Sequence, residues 1–249
     1  MVNDDRQVSK CHAASRDLDF ADAAERGSHA MSTTIYVINP NSNAQVTAGL
    51  DAAVAPLRLA GGPAIRCETL ADGPPGVETQ AHVDSAALAV RAFAERHRGD
   101  AAAFVVACFS DPGLHQLRES MQVPVLGISE SGVLAALTLG HSFGVVAILP
   151  GSIPRHLRNW GAMGIAQRCV GEIAIGRGVS ALADREATLA AMVDAGRRLR
   201  DERGAHVLVM GCAGMAHFRA PLAEACGLPV VEPTQAATAM ALGRVRLGW

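Results

Sequence analysis

From residue 35 onward, short apolar runs alternate along the chain with longer stretches of helical period. Ile35–Ile38, Phe104–Ala107, Val123–Ile128, Phe143–Leu149, Val207–Met210 and Leu228–Val231 read as strands. After His82, the residues Val83, Ala87, Val90 and Ala94 share one helical face, with Ala86 and Phe93 beside it. From about Asp184 to Arg203, a second helix carries Leu189, Met192, Val193 and Leu199 on one face. Gly196 falls in that stripe, where it weakens the helix slightly but permits close packing. Strands alternating with helices imply parallel sheets joined by right-handed crossovers.

The pattern occurs twice. Cys108 and Cys212, Pro124-Val125 and Pro229-Val230, and Val90 and Val193 are pairs of landmarks displaced by 103 to 105 positions. Three landmarks moving together indicate a duplicated α/β unit. The expected fold is therefore α/β, with two similar lobes and a cleft between them.

Residues 1–30 break the pattern. They are polar, lack an apolar period, and are expected to form a disordered or weakly helical extension, with the folded part starting near Met31.

The chemistry concentrates at the ends of two matched strands. Cys108 ends Phe104-Val105-Val106-Ala107, and Cys212 follows Val207-Leu208-Val209-Met210-Gly211. Open parallel sheets bind ligands at the carboxyl ends of their strands, so both thiols are expected at one cleft. Two opposed thiols, one as thiolate base and one as acid, could invert a carbon without a cofactor. A helix N-terminus right after each Cys would stabilise the thiolate, and its N–H groups a developing enolate. Gly211, Ala213 and Gly214 keep the backbone around Cys212 open to close approach. Against this stands the ordinary use of cysteine as a small core residue, which is the reading for Cys67, Cys169 and Cys226.

Composition narrows the partners. The net charge is −2 and only 4% of residues are aromatic, which argues against a nucleic-acid or anionic-membrane partner. No run of about 18 apolar residues suggests a membrane span. The six cysteines lack zinc spacing, and the first 30 residues lack an apolar signal core. Free thiols in a reducing cytoplasm, no metal and a small-molecule substrate are the expectations. A homo-oligomer is also expected, because compact α/β enzymes often assemble symmetrically.

Four stretches carry a family resemblance: Ile38-Asn39-Pro40-Asn41-Ser42, Ala107-Cys108-Phe109-Ser110-Asp111-Pro112-Gly113-Leu114, Pro124-Val125-Leu126-Gly127-Ile128 and Gly211-Cys212-Ala213-Gly214-Met215. Together they resemble the aspartate/glutamate/hydantoin racemase superfamily, in its hydantoin and allantoin racemase branch. The resemblance implies two pseudo-symmetric flavodoxin-like lobes and cofactor-independent proton transfer at C5 of a hydantoin-type ring. It places Cys108 on one face of that carbon and Cys212 on the other. It also implies that the C-terminal helix returns to the first lobe, giving lobes of 31–131 plus about 233–249, and 132–232. The superfamily's amino-acid racemases usually carry Asn-Thr and Thr-His after the two cysteines. Phe109-Ser110 and Ala213-Gly214 stand there in this chain, which suits a neutral ring better than an amino acid. An amino-acid racemase of the superfamily is the alternative enzyme. A ligand-binding protein on the same scaffold is the non-catalytic alternative, since a fold does not by itself imply catalysis.

Among the remaining candidates, Asn39, Asn41 and Ser42 would line the cleft or merely shape the turn and cap a helix. Phe109 and Ser110 would face substrate beside Cys108. Asp111-Pro112-Gly113 reads as a helix opener and Glu130 as a loop charge. The Gly73–Glu78 loop is a lid or a plain connector. His115 and His217 have unmatched offsets from their cysteines and read as surface or core residues. Glu232-Pro233 replaces the Asp-Gly common in the branch.

Overall fold

A computed structural model describes residues 34–249; the extension expected over residues 1–30 lies outside the described residues. Two four-stranded sheets, all parallel, form the frame. The first contains β1 (Thr34–Asn39), β2 (Ala64–Thr69), β3 (Ala101–Val106) and β4 (Val125–Gly127), in the order β2-β1-β3-β4. The second contains β5 (Phe143–Ala147), β6 (Cys169–Ala174), β7 (Val207–Met210) and β8 (Val230–Val231), in the order β6-β5-β7-β8. The same order recurs in both sheets, as a duplicated unit requires.

Central strands are buried along their whole length because layers cover both faces: every residue of β1, β3, β5 and β7 is buried. The edge strands β2 and β6 are mostly half-buried and carry polar residues such as Arg66, Glu68 and Glu172. That mixed pattern is why their sequence does not announce them.

The helices follow the residues that start them. In α1 (Ala44–Val54), the Asn43 side chain caps the first turn by accepting from the Gln45 N–H. In α2 (Gln80–Arg96), Thr79 does so from His82, and Val83, Ala86, Val90, Phe93 and Ala94 are buried. In α6 (Arg185–Asp201), Asp184 caps the start, and Gly196 is where the helix meets its neighbours. A Cβ there would lie 2.7 Å from the Cys226 sulfur and 2.9 Å from Leu208.

Two helices change sides. α4 (Ile128–Leu139) follows β4 but packs on β5, β7 and β8, whereas α8 (Pro233–Leu247) follows β8 and packs on β1, β3 and β4. They meet at Gly132, where a Cβ would come within 2.9 Å of the Pro233 side chain. One apolar core therefore runs continuously from Ile35, Val37 and Val105 to Val145, Val209 and Met210. Among the described residues, no helix is long and apolar enough to cross a membrane.

Candidate active site

Each key cysteine stands two residues beyond the end of an equivalent central strand, Cys108 after β3 and Cys212 after β7. Both line one small cavity between the sheets, with Asn41, Phe109, Ser110, Gly211, Ala213 and Gly214. The two thiols have matching surroundings. The Cys108 sulfur takes the backbone N–H of Ser110, and the Cys212 sulfur that of Gly214. Gly211 lets the Cys212 turn pass close to its sheet, since a Cβ there would lie 2.8 Å from the Val146 carbonyl.

The expected helix start behind each thiol is only half realised. Cys212 directly precedes a 3-10 helix, Ala213–Phe218, which leads into α7 (Arg219–Cys226). Behind Cys108 the chain first makes a turn, with the Asp111 N–H on the Cys108 carbonyl, and α3 (Leu114–Ser120) begins only after Gly113. The Ser110 N–H of the turn, rather than a helix end, faces the first thiol.

Burial dominates the titration of both groups. It pushes Cys108 up to about 12, against the opposing pull of the Ser110 N–H and the Arg155 charge. It pushes Cys212 up to about 11, against the Gly214 N–H. A negative charge on Cys212 would raise Cys108 further, which ties the two sites electrically. Partial burial thus favours the neutral form of both thiols rather than tuning them to neutrality.

Asn39 and Ser42 stand apart from the cavity. Asn39 is fully buried and uses its amide on Asn41, Asn43 and Thr47, so it clamps the loop after β1. Ser42 donates its backbone N–H to Pro74. Glu130 pairs with Arg118, and Glu232 caps α8 by accepting from Thr234 and Gln235 and lines neither cavity. His115 is exposed, and His217 lies on the rim of a second, larger cavity.

Sequence reasoning missed the contribution of α5 (Ile153–Ala162). Its first turn brings Ser152, Arg155 and His156 to the cavity wall. Arg155 is buried and donates to the carbonyls of Gly151 and Glu78. His156 stands 2.5 Å from Glu172, both deeply buried, and meets Phe109 edge to face. The available signal was positional: Pro150-Gly151-Ser152 is the counterpart of the Asn-Pro loop after β1. Among the described residues, no three His, Cys, Asp or Glu side chains cluster to hold a metal ion.

Fold and site together define a duplicated α/β protein with a pair of thiols at matched strand ends, facing one interlobe cavity. The model of the Asp/Glu/hydantoin racemase family matches residues 35–241, and the chain belongs to that family. It is 34% identical over 220 residues to a hydantoin racemase of Rhizobium meliloti, covering 86% of this chain and 90% of that one. A hydantoin racemase of Paenarthrobacter aurescens is 32% identical over 221 residues, covering 86% and 92%. Among solved structures, the allantoin racemase from Pseudomonas fluorescens superposes with a TM-score of 0.82 at 30% identity, covering 86% of this chain and 92% of that one.

Proposed function

We propose that this protein is a cofactor-independent racemase acting at C5 of a hydantoin-type ring, with Cys108 and Cys212 as the proton-transfer pair. The observation that carries this reading is the pair itself, two half-buried cysteines lining one cavity, each sulfur beside the N–H of the residue two positions on. One sulfur, as thiolate, takes the C5 proton. The electron pair moves onto the neighbouring ring carbonyl as an enolate, and the opposite thiol returns a proton to the other face. The sulfurs have then exchanged roles, and the reverse direction uses them in the opposite order.

The surroundings suit this chemistry. A neutral ring enters a small, largely enclosed cavity at less cost than an ammonium carboxylate. The buried guanidinium of Arg155 offsets negative charge on Cys108, where burial opposes it most. The Ser110 and Gly214 N–H groups stabilise each thiolate in turn. The functional lobes in this reading are 31–131 with about 233–249, and 132–232, a division supported by the crossing of α4 and α8.

The test is optical rotation of L-5-substituted hydantoins in D2O, with Cys108→Ser and Cys212→Ser. Each change should lower racemisation at least about a thousandfold, as expected when a positioned acid or base is lost. Each variant should retain C5 deuterium exchange for one enantiomer only, and opposite enantiomers for the two variants. Racemisation that survives either change would end the two-thiol assignment.

A further inference from the structure

The thiol cavity is small. It encloses about 30 Å³, room for a water or two but not for a substituent of any size. Beside it lies a groove of about 670 Å³, between α1 and the segments around Val179–Arg185 and Gly214–His217. That volume is in the ordinary range of small-molecule sites. The two spaces share Val179 and Gly214 as walls.

At Gly214 the partition is a single backbone thick. A Cβ there would lie 3.6 Å from the Cys212 sulfur and 3.7 Å from Val46, with Leu182 at 3.0 Å. Val46 and Leu182 belong to the groove and Cys212 to the thiol cavity. The absent side chain is what lets the two spaces approach each other beside the sulfur.

The groove's chemistry is apolar at depth. Val46, Val179 and Leu182 are buried, whereas Gln45, Arg185 and His217 are exposed along the groove. None of the buried side-chain polar atoms that lack a partner among the described residues belongs to a groove residue. The groove's polar side chains, Asn43, Gln45, Ser180, Arg185 and His217, are half-buried or exposed, so a polar arm laid against the buried Val46, Val179 and Leu182 would lose its water without a side-chain partner at that depth. We infer that the groove receives the C5 substituent of the substrate past Gly214 and Val179, and that it selects an aliphatic or aromatic arm over a polar ureido arm.

This rests on the reading of Cys108 and Cys212 as the proton-transfer pair, and it deepens that reading from ring to substituent. The preferred substrates are 5-alkyl- and 5-arylmethylhydantoins, with allantoin disfavoured.

The experiment measures kcat/KM of the full chain for 5-methyl-, 5-isobutyl- and 5-benzylhydantoin and for allantoin. Gly49→Leu and Ala53→Leu fill the groove from its α1 wall, away from the sulfurs. A Cβ at Gly49 meets nothing within 4 Å, so the new side chain enters without a clash. The expected result is a preference that grows with the apolar arm, roughly fourfold per buried methylene. Gly49→Leu should lower the benzyl-to-methyl ratio at least about fivefold while melting no lower than the parent, because leucine favours the helix over glycine. If Gly49→Leu folds poorly, Ala53→Leu supplies the same ratio. An unchanged ratio in both variants, or allantoin turned over faster than 5-isobutylhydantoin, overturns the substituent site but not the thiol pair. No racemisation and no C5 exchange with any of the four rings overturns both.

Discussion

The Glu78 carboxylate accepts the backbone N–H of Val179 at 2.8 Å, joining the Gly73–Glu78 loop of the first half to the wall shared by the two cavities. Gly178 admits the carboxylate, since a Cβ there would lie 2.6 Å from it, and Arg155 holds the Glu78 carbonyl from the other side. The loop proposed from sequence as a lid or a connector is thus fastened across the cleft.

A cavity of about 30 Å³ does not admit a ring, so its walls, Val179 among them, must open for substrate to enter. Glu78→Ala removes the fastening. We expect a loss of about 1 kcal/mol, seen as a melting point lower by about 2–4 °C. KM should change through the loosened wall, and C5 exchange on bound substrate should quicken near neutral pH, because the Glu78 charge that raises the Cys212 thiol is gone. Steady-state kinetics beside single-turnover exchange separates the two.

The neutral thiols predict an alkaline enzyme. With Cys108 near 12 and Cys212 near 11, each unit of rising pH should increase the thiolate fraction about tenfold over the neutral range. The profile of kcat/KM should climb from pH 7 to at least 9 rather than peak at neutrality. Stability runs the other way. Both folded pKa values lie above the ordinary thiol value, so the folded state holds protons that the unfolded chain has released. Their contribution is whole below about pH 9 and fades as pH rises toward 11–12. Denaturant titrations at pH 8, 9 and 10 should show this decline, shallower in Cys108→Ala/Cys212→Ala, where the raised thiols of Cys67 and Cys169 still contribute.

Arg155 combines a charge near Cys108 with hydrogen bonds to two carbonyls, and two variants separate these. Arg155→Met removes a charge that opposes the burial shift at Cys108, so the rise of kcat/KM should move to higher pH and activity at pH 8 should fall severalfold. Arg155→Lys keeps a charge but loses the fork that reaches Gly151 and Glu78. It should keep the pH profile nearer the parent's while raising KM. Loss of activity with an unshifted profile in Arg155→Met would mean a purely structural role.

Asp111 has a structural role beside Cys108, whose carbonyl takes its N–H and whose thiol its charge raises. With φ at +45°, it sends both carboxylate oxygens to the Ser129 and Glu130 N–H groups, capping α4 from another loop. Gly127 leaves room for it, since a Cβ there would lie 2.3 Å from the Asp111 carboxyl carbon. Burial raises this carboxyl to about 7. Asp111→Ala should cost about 2 kcal/mol, and Asp111→Asn less, because asparagine tolerates the left-handed backbone and still accepts one bond. The folded state retains the proton between about pH 4 and 7, so the parent's advantage over Asp111→Asn should shrink as pH rises through that window. Chemical denaturation at pH 4, 6 and 8 checks the sign.

The chain's own sequence determined the repeating strands, their parallel order and the two strand-end thiols. Val37, Phe104, Val145 and Val209 sit in strands buried on both faces, so their apolar runs stand out without any knowledge of neighbours. Cys108 and Cys212 stood out because their place at strand ends is local and repeats. The strands β2 and β6 stayed hidden because an edge strand mixes Arg66, Glu68 and Glu172 with apolar positions. Only the tertiary structure decided that Asn39 turns inward to its own loop, that Arg155 and His156 reach the cavity, and that Glu78 meets Val179. A period in the sequence reports which side of an element is buried. Which residues share a cleft depends on how the two halves dock, and that is a property of contacts roughly a hundred positions apart.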